Sequence, residues 1–195
     1  MRNPPTAGEL HLWRVEAGGD DPRGAARAAL GEILGEYLDH TEFSPDTHGK
    51  PRLTLEPERL SFNLSHSGDL ALVAIAPGGA EVGIDVERLK PRRDLRRLAE
   101  RWLPAADAAA VAAASGAELE PVFYAAWTRY EARVKCLGTG IAGPPPGPDV
   151  VAYDLSIDEE YAAAVAIDTT DYGRGLPPVI WTNARQAGFG LNFGP

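Results

Sequence analysis

Residues 60–87, LSFNLSHSGDLALVAIAPGGAEVGIDVE, decide the fold class because they contain three short segments with β-strand patterns. These segments are SFNLSH (61–66), LALVAIA (70–76) and EVGIDVE (81–87), which are separated by SGD and PGGA. The separating sequences have the glycine, proline and aspartate content of tight turns. We therefore predict three strands joined as a β-meander.

The segments on either side of residues 60–87 alternate between strand and helix patterns. Upstream, the patterns predict a strand, an amphipathic helix and a turn-rich loop, over residues 11–17, 25–38 and 43–51. Downstream, they predict three helices and then three strands, over residues 93–103, 105–114 and 121–137 and over residues 150–155, 161–167 and 178–183. This order predicts an α+β fold, which can also be organised as two α/β halves that meet near residues 88–92.

Composition and charge disfavour several classes of protein. With 195 residues, 44% of them hydrophobic, the chain can bury a sizeable core. A formal charge of -9 disfavours a nucleic-acid partner, and no apolar run is long enough to span a membrane. The opening residues show no signal-peptide pattern, and the single cysteine, Cys136, cannot form an internal disulfide. We therefore expect a cytoplasmic protein without a membrane partner.

Asp85 and Glu87 form the first candidate site. They lie two residues apart in a predicted strand, so their side chains share one face, opposite the alternating apolar residues. Two carboxylates this close suit Mg²⁺, which takes one or two protein carboxylates together with substrate phosphates. Gly83 leaves the same face uncrowded beside them. The alternative is a solvated strand face that binds nothing.

The helix predicted from Pro121 to Leu137 carries the second candidate site. Its residues Glu131 and Lys135 lie four apart and therefore share a face. They can form an exposed ion pair, which is worth only about 0.3–0.5 kcal/mol. Alternatively, Glu131 is a third carboxylate for the metal and Lys135 reaches a phosphate. Taken alone, the residues favour the ion pair.

The segment SFNLSHSG (61–68) contains Ser65 and His66, which can be ordinary residues of a strand end and a turn. A serine nucleophile activated by this histidine is disfavoured, because adjacent strand residues face opposite sides. The chain also has no G-x-S-x-G sequence.

Basic residues are concentrated directly after the carboxylate pair. Arg88–Arg101 contains seven basic and two acidic residues, whereas the rest of the chain has 12 basic and 26 acidic residues. A solvated helix face is one interpretation. The other is a surface that docks an anionic ligand or an acidic partner protein.

Four sequence blocks occur together in one order: GKP at 49–51, FNLSHSG at 62–68, VGIDVE at 82–87, and F-x-x-x-W-T-x-x-E-A-x-x-K-x-x-G-x-G at 123–140. Together they resemble the signature blocks of the surfactin-type (Sfp-type) 4′-phosphopantetheinyl transferases. The resemblance implies two α/β halves related by a pseudo-twofold axis, here residues 1–90 and 91–195, with the active site between them. It also implies a monomer that holds a complete site.

The resemblance implies a Mg²⁺-dependent transferase, for which Mn²⁺ is also compatible with the ligands. Such an enzyme moves the 4′-phosphopantetheine arm of coenzyme A onto a serine of a carrier protein and releases 3′,5′-ADP. The implied metal ligands are Asp85, Glu87 and Glu131. The implied contacts to coenzyme A are Arg27, Lys50, Pro51, Ser65, His66 and Lys135. The implied catalytic residues are Glu131, as the base that takes the serine proton, Lys135 and His66.

The implied partner is an acyl or peptidyl carrier protein of a bacterial polyketide, non-ribosomal peptide or fatty-acid pathway, docking near Arg88–Arg101. One position departs from the family pattern, because Tyr130 stands where a lysine is usual. This departure keeps open a catalytically impaired relative that binds coenzyme A or carrier proteins. An unrelated metallohydrolase is disfavoured, because the chain lacks histidine-rich or two-metal ligand spacing.

Overall fold

The computed structural model describes residues 5–6, 9–38, 42–45, 50–54, 60–78, 80–92, 94–172 and 179–183. Nine strands lie in these ranges: β1 Leu10–Glu16, β2 Phe43–Pro45, β3 Pro51–Leu53, β4 Leu60–Ser67, β5 Leu70–Pro77, β6 Val82–Arg88, β7 Val150–Leu155, β8 Tyr161–Asp168 and β9 Val179–Asn183. Five α-helices lie in the same ranges: α1 Pro22–Gly35, α2 Leu95–Trp102, α3 Ala105–Ala113, α4 Leu119–Leu137 and α5 Thr169–Tyr172. The predicted α+β class is confirmed, and none of these helices combines the length and apolar character needed to cross a membrane.

The strands of the described ranges form two main sheets and one short pair. The first sheet has the order β4-β5-β1-β9, and the second has the order β6-β8-β7. The predicted meander is correct for β4 and β5, which pair antiparallel across the turn at Gly68, but it is wrong for β6. β5 is already paired with β1 on its other side, so it has no free edge, and β6 pairs with β8 instead.

The predicted loop at 43–51 is wrong at its two ends. Phe43–Pro45 and Pro51–Leu53 pair antiparallel as β2 and β3. The pair is extended by Thr54, whose amide and hydroxyl both donate to the carbonyl oxygen of Glu42. Runs of three residues are too short for an alternating pattern to be recognised in the sequence. Residues 46–49 lie outside the described residues.

Two strands pair across the predicted division at residue 90. β6 precedes that division and pairs with β8, whereas β9 follows it and pairs parallel to β1. The halves 1–90 and 91–195 and their pseudo-twofold relation stay predictions.

Apolar clusters join the sheets and helices into layers. α1 covers one face of the first sheet, through residues such as Leu34 and Phe62. The other face of that sheet packs on β6 and β8, through residues such as Leu72 and Ile84. α4 covers the remaining face of the second sheet. As a result, the edge strands β4 and β6 lie close together, with α4 beside them.

α4 is positioned by glycines at its end and beneath it. Gly138 ends the helix in the left-handed conformation at φ 70°, and its amide donates to the carbonyl oxygens of Val134 and Lys135. Beneath the helix, a Cβ at Gly83 of β6 would overlap the carbonyl oxygen of Ala132 and the amide nitrogen of Cys136. The missing side chain at Gly83 therefore allows α4 to lie directly on β6.

Candidate active site

β4 and β6 are joined by side chains rather than by a backbone ladder. Three polar side chains at alternate positions of β4 accept hydrogen bonds from backbone amides at alternate positions of β6. The bonds join Asn63 to Ile84, Ser65 to Val86 and Ser67 to Arg88, at 2.9, 3.3 and 3.0 Å. This side-chain ladder satisfies amides that would otherwise be unpaired at the edge of the second sheet.

Asp85 lies at the centre of the candidate site and is 3% exposed. Its Oδ1 accepts hydrogen bonds from the Ser65 hydroxyl at 2.9 Å and from the Lys135 ammonium at 2.6 Å. Its Oδ2 is buried and has no hydrogen-bond partner among the residues that the structure describes. A buried carboxylate oxygen without a partner is costly and requires an explanation, such as a bound ion.

Glu87 and Glu131 complete an acidic group around Asp85. Burial raises the pKa of Glu87, and the charge of Asp85 adds to the rise, although a 2.8 Å hydrogen bond from Ser67 opposes it. Burial also raises the pKa of Glu131, and here Asp85 adds to the rise while Lys135 opposes it. The three carboxylates are therefore close enough to repel one another.

The Lys135 side chain bonds to Asp85 of β6 instead of forming an ion pair with Glu131 of its own helix. Its ammonium donates to Asp85 and also, at 2.8 Å, to the Ser65 hydroxyl. Among the residues that the structure describes, none forms a hydrogen bond or an ion pair with the Glu131 carboxylate. The alternative of a Glu131–Lys135 pair is therefore wrong, because Lys135 is drawn to the more deeply buried carboxylate of the adjacent strand.

Metal-binding geometry is not present in these side chains as they stand. Within the described part of the chain, no group of three or more His, Cys, Asp or Glu side chains has the spacing that holds a metal ion. The donor chemistry nevertheless suits a hard divalent cation, since it consists of carboxylate oxygens of which Asp85 Oδ2 is buried and unpaired. The metal and its three ligands stay predictions.

A groove of about 310 Å³ opens beside the acidic group. Four of the predicted site residues line it, namely Lys50, Pro51, Glu131 and Lys135. Asn63 of β4 and the turn after α4, at Gly138 and Gly140, contribute to the same wall. The groove therefore brings together parts of three of the four sequence blocks.

Lys50 lines the groove, but its ammonium group is buried and bonds to other residues of the protein. The side chain is 6% exposed, and the ammonium donates to Glu81 Oε2, Val82 O and Cys136 O at 2.7, 3.1 and 2.9 Å. An ammonium has three hydrogens. These three acceptors match the three hydrogens, and the predicted contact of Lys50 with a nucleotide stays a prediction.

Three other predicted contacts to coenzyme A do not line the groove. The Ser65 hydroxyl is committed to Asp85, Lys135 and the amide of Val86. His66 is exposed, and because side chains alternate along β4 it lies on the face opposite Ser65. Arg27 is exposed on α1. The roles of these three residues stay predictions.

Tyr130 faces away from the groove. It is buried in an apolar cluster with residues of α2, including Leu95 and Ala99. It also lines a separate hollow of about 270 Å³ on another side of α4. Tyr130 is not among the residues that line the groove, and the effect of a tyrosine at this position stays a prediction.

Sequence reasoning missed the contributions of Asn63 and Ser67 and the packing role of Gly83. A signal for the first two was present, because N-x-S-x-S places three polar residues on one face of a strand. Nothing in the sequence indicated that this face would meet β6, which is 21 residues further along the chain.

Comparison with known proteins supports the resemblance over the part of the chain that builds this site. Residues 81–172 match the family model described as the 4′-phosphopantetheinyl transferase superfamily (ACPS). The match covers just under half of the chain and includes β6 and α4, which carry Asp85, Glu87, Glu131 and Lys135. The similarity therefore concerns the segment that carries these four residues, and the narrower Sfp-type subfamily stays a prediction.

Individual relatives carry the same name. The chain is similar to 4′-phosphopantetheinyl transferase HetI of Nostoc sp., with 36% identity over 134 residues, 68% of this chain and 54% of the relative. It is 35% identical to 4′-phosphopantetheinyl transferase psf-1 of Bacillus pumilus over 60% of this chain and 52% of the relative. It is 34% identical to 4′-phosphopantetheinyl transferase AcpT of Salmonella typhimurium over 60% of this chain and 62% of the relative. The chain therefore spans about half to three-fifths of the length of these relatives.

Proposed function

We propose that this protein is a 4′-phosphopantetheinyl transferase that modifies a serine of an acyl or peptidyl carrier protein. The observation that carries the proposal is the convergence of Asp85, Glu87, Glu131 and Lys135 beside a groove that the last two of them line. The names of the relatives and the superfamily match over residues 81–172 support the same activity. The substrate is coenzyme A, and the second product is 3′,5′-ADP.

Asp85, Glu87 and Glu131 are the residues that would hold Mg²⁺, with Mn²⁺ as a substitute. The buried, unpaired Oδ2 of Asp85 supports this assignment, because a cation would supply the missing partner. The raised pKa values of the two glutamates support it as well, since a cation would relieve their mutual repulsion. When bound, the ion offsets the charge of the pyrophosphate and the charge that develops on the leaving group.

Lys135 and Glu131 carry the remaining chemistry. The Lys135 ammonium lies at the groove wall and can donate to a pyrophosphate oxygen while keeping its bond to Asp85. Glu131 lines the groove, and among the described residues its carboxylate has no side-chain hydrogen bond, so it is available to accept a proton. It takes the proton of the carrier serine as the serine oxygen attacks the phosphorus that bears pantetheine. The bond from that phosphorus to the bridging oxygen breaks, and 3′,5′-ADP leaves with the oxygen.

The carrier protein docks near Arg88–Arg101. This segment begins at the residue after Glu87, and the charge of Lys90 acts on that carboxylate. The Tyr124 hydroxyl donates to the Lys90 carbonyl at 3.1 Å, which holds the start of the segment against α4. Arg97 is exposed on α2 and available to an acidic partner. Docking here would bring a carrier serine towards the acidic group.

The test combines the protein with coenzyme A, MgCl₂ and an apo carrier protein, and measures the intact mass of the carrier. The proposal predicts a gain of one phosphopantetheine that requires the divalent ion. The alternative of a catalytically impaired relative predicts binding of coenzyme A or of the carrier without a mass gain. Tyr130 lies in an apolar cluster with residues of α2, and this mass measurement decides between the two alternatives.

A further inference from the structure

Ser67 of β4 makes two hydrogen bonds to consecutive residues of β6. Its hydroxyl oxygen accepts from the amide of Arg88 at 3.0 Å, and its hydrogen is donated to Glu87 Oε2 at 2.8 Å. Ser65 repeats this arrangement two residues earlier, accepting from the amide of Val86 and donating to Asp85. The same two-residue period on both strands therefore gives each carboxylate its own serine.

The direction of the Ser67 hydroxyl follows from its bond to the backbone. A hydroxyl has one hydrogen and two acceptor lone pairs, so a bond from an immobile amide leaves the hydrogen to point elsewhere. Here it points at Glu87, whose side chain has three rotatable bonds and would otherwise sample several rotamers. The bond selects one of them before any ligand arrives.

We propose that Ser67 is a positioning residue that fixes the Glu87 carboxylate for a divalent cation. This inference rests on the proposed function in one respect, namely that Glu87 is a ligand of the ion. Glu131 provides the contrast, because among the described residues no hydroxyl or cation bonds to it. Two carboxylates are thus held by serines on the edge strand, while the one assigned as the base is left to move.

The experiment measures Mn²⁺ binding by isothermal titration calorimetry, without coenzyme A or a carrier, for the wild type and three variants. Ser67→Ala removes both hydrogen bonds, and Ser67→Thr keeps the hydroxyl. Ser61→Ala is the matched control, because Ser61 lies on β4 and has no side-chain hydrogen bond among the described residues. S67A should weaken Mn²⁺ binding by about 10-fold, whereas S67T and S61A should bind nearly as the wild type does.

A double-mutant cycle separates positioning from general damage. If Ser67 acts through Glu87, S67A should have little further effect on Mn²⁺ affinity in the Glu87→Gln background. A purely structural role would lower the Tm of S67A but leave its affinity unchanged at temperatures well below the Tm. Should S67A not fold, Ser67→Cys keeps nearly the same volume with a weaker donor and should bind Mn²⁺ with reduced affinity.

Equal Mn²⁺ affinity in the wild type and S67A would overturn the inference. An equal loss with and without Glu87 would also overturn it, because the serine would then act elsewhere. A wild type that binds no Mn²⁺ would overturn it as well, because Glu87 would then not be a metal ligand. A wild type that binds Mn²⁺ with the expected S67A loss, but modifies no carrier, would contradict the transferase function and leave the inference intact.

Discussion

Replacing Gly83 by alanine tests whether the close approach of α4 to β6 creates the candidate site. The added Cβ would overlap the backbone of α4 at Ala132 and Cys136, and backbone atoms cannot rotate away. The Cα of Cys136 would lie 2.9 Å from the new methyl group. Carbon atoms pack at about 3.5–4.0 Å, so this contact alone requires α4 to retreat by about 0.6–1.1 Å.

That retreat should reduce both stability and activity. Overpacking costs about 1–3 kcal/mol, which lowers the Tm by about 2–12 °C in a protein of this size. Glu131 and Lys135 move with the helix, so the 2.6 Å bond from Lys135 to Asp85 would lengthen. A misplacement of about 1 Å can reduce turnover by about 100-fold.

Thermal unfolding followed by circular dichroism measures the stability, and the mass of the carrier protein measures the transfer. Gly31→Ala is the matched control, because Gly31 lies inside α1 and nothing lies within 4 Å of a Cβ at that position. Alanine is preferred over glycine within a helix by about 0.5–1 kcal/mol, so the control should be at least as stable as the wild type. A G83A variant with the Tm of G31A and full activity would refute the reasoning.

Three further predictions concern charged side chains. Lys50→Met removes the hydrogen bonds from the ammonium to the buried carbonyl oxygens of Val82 and Cys136 and should cost about 1–3 kcal/mol of unfolding free energy in urea titrations. Arg52→Ala removes a partly exposed partner of Glu81 and should cost at most about 1 kcal/mol. Glu131→Gln should abolish transfer without lowering the Tm, whereas the adjacent Tyr130→Phe should keep its activity in the carrier mass assay. Substantial turnover by E131Q would exclude Glu131 as the base. The pKa of Glu131 is raised in the folded state. Between the unfolded-state pKa, which is about 4, and this raised pKa, the folded state binds more protons than the unfolded state, so stability falls as pH rises. Over that pH range, the unfolding free energy of the metal-free wild type should therefore fall with rising pH relative to that of E131Q. A stability difference between the two proteins that grew as pH fell would contradict this prediction.

α4 illustrates which features of the candidate site can be predicted from local sequence. Its apolar spacing and Gly138 determine where the helix runs and ends, and its period places Glu131 and Lys135 on one face. The same spacing, taken alone, favoured an ion pair between them over two separate roles. The choice depended on a third group, Asp85, which lies 50 residues from Lys135 in the chain.

The sequence by itself determined the α+β class, most of the strands and helices, and the four blocks that carry the candidate site, because these follow from residue periodicity and turn residues within short segments. The tertiary structure alone decided that β6 leaves the meander, since β5 has only two edges and β1 pairs with the second of them. It also decided that serines of β4 bond to the carboxylates of β6. Such pairings depend on which strand edges and sheet faces remain free after the other elements have packed. The residues of one segment do not determine which edges and faces those are.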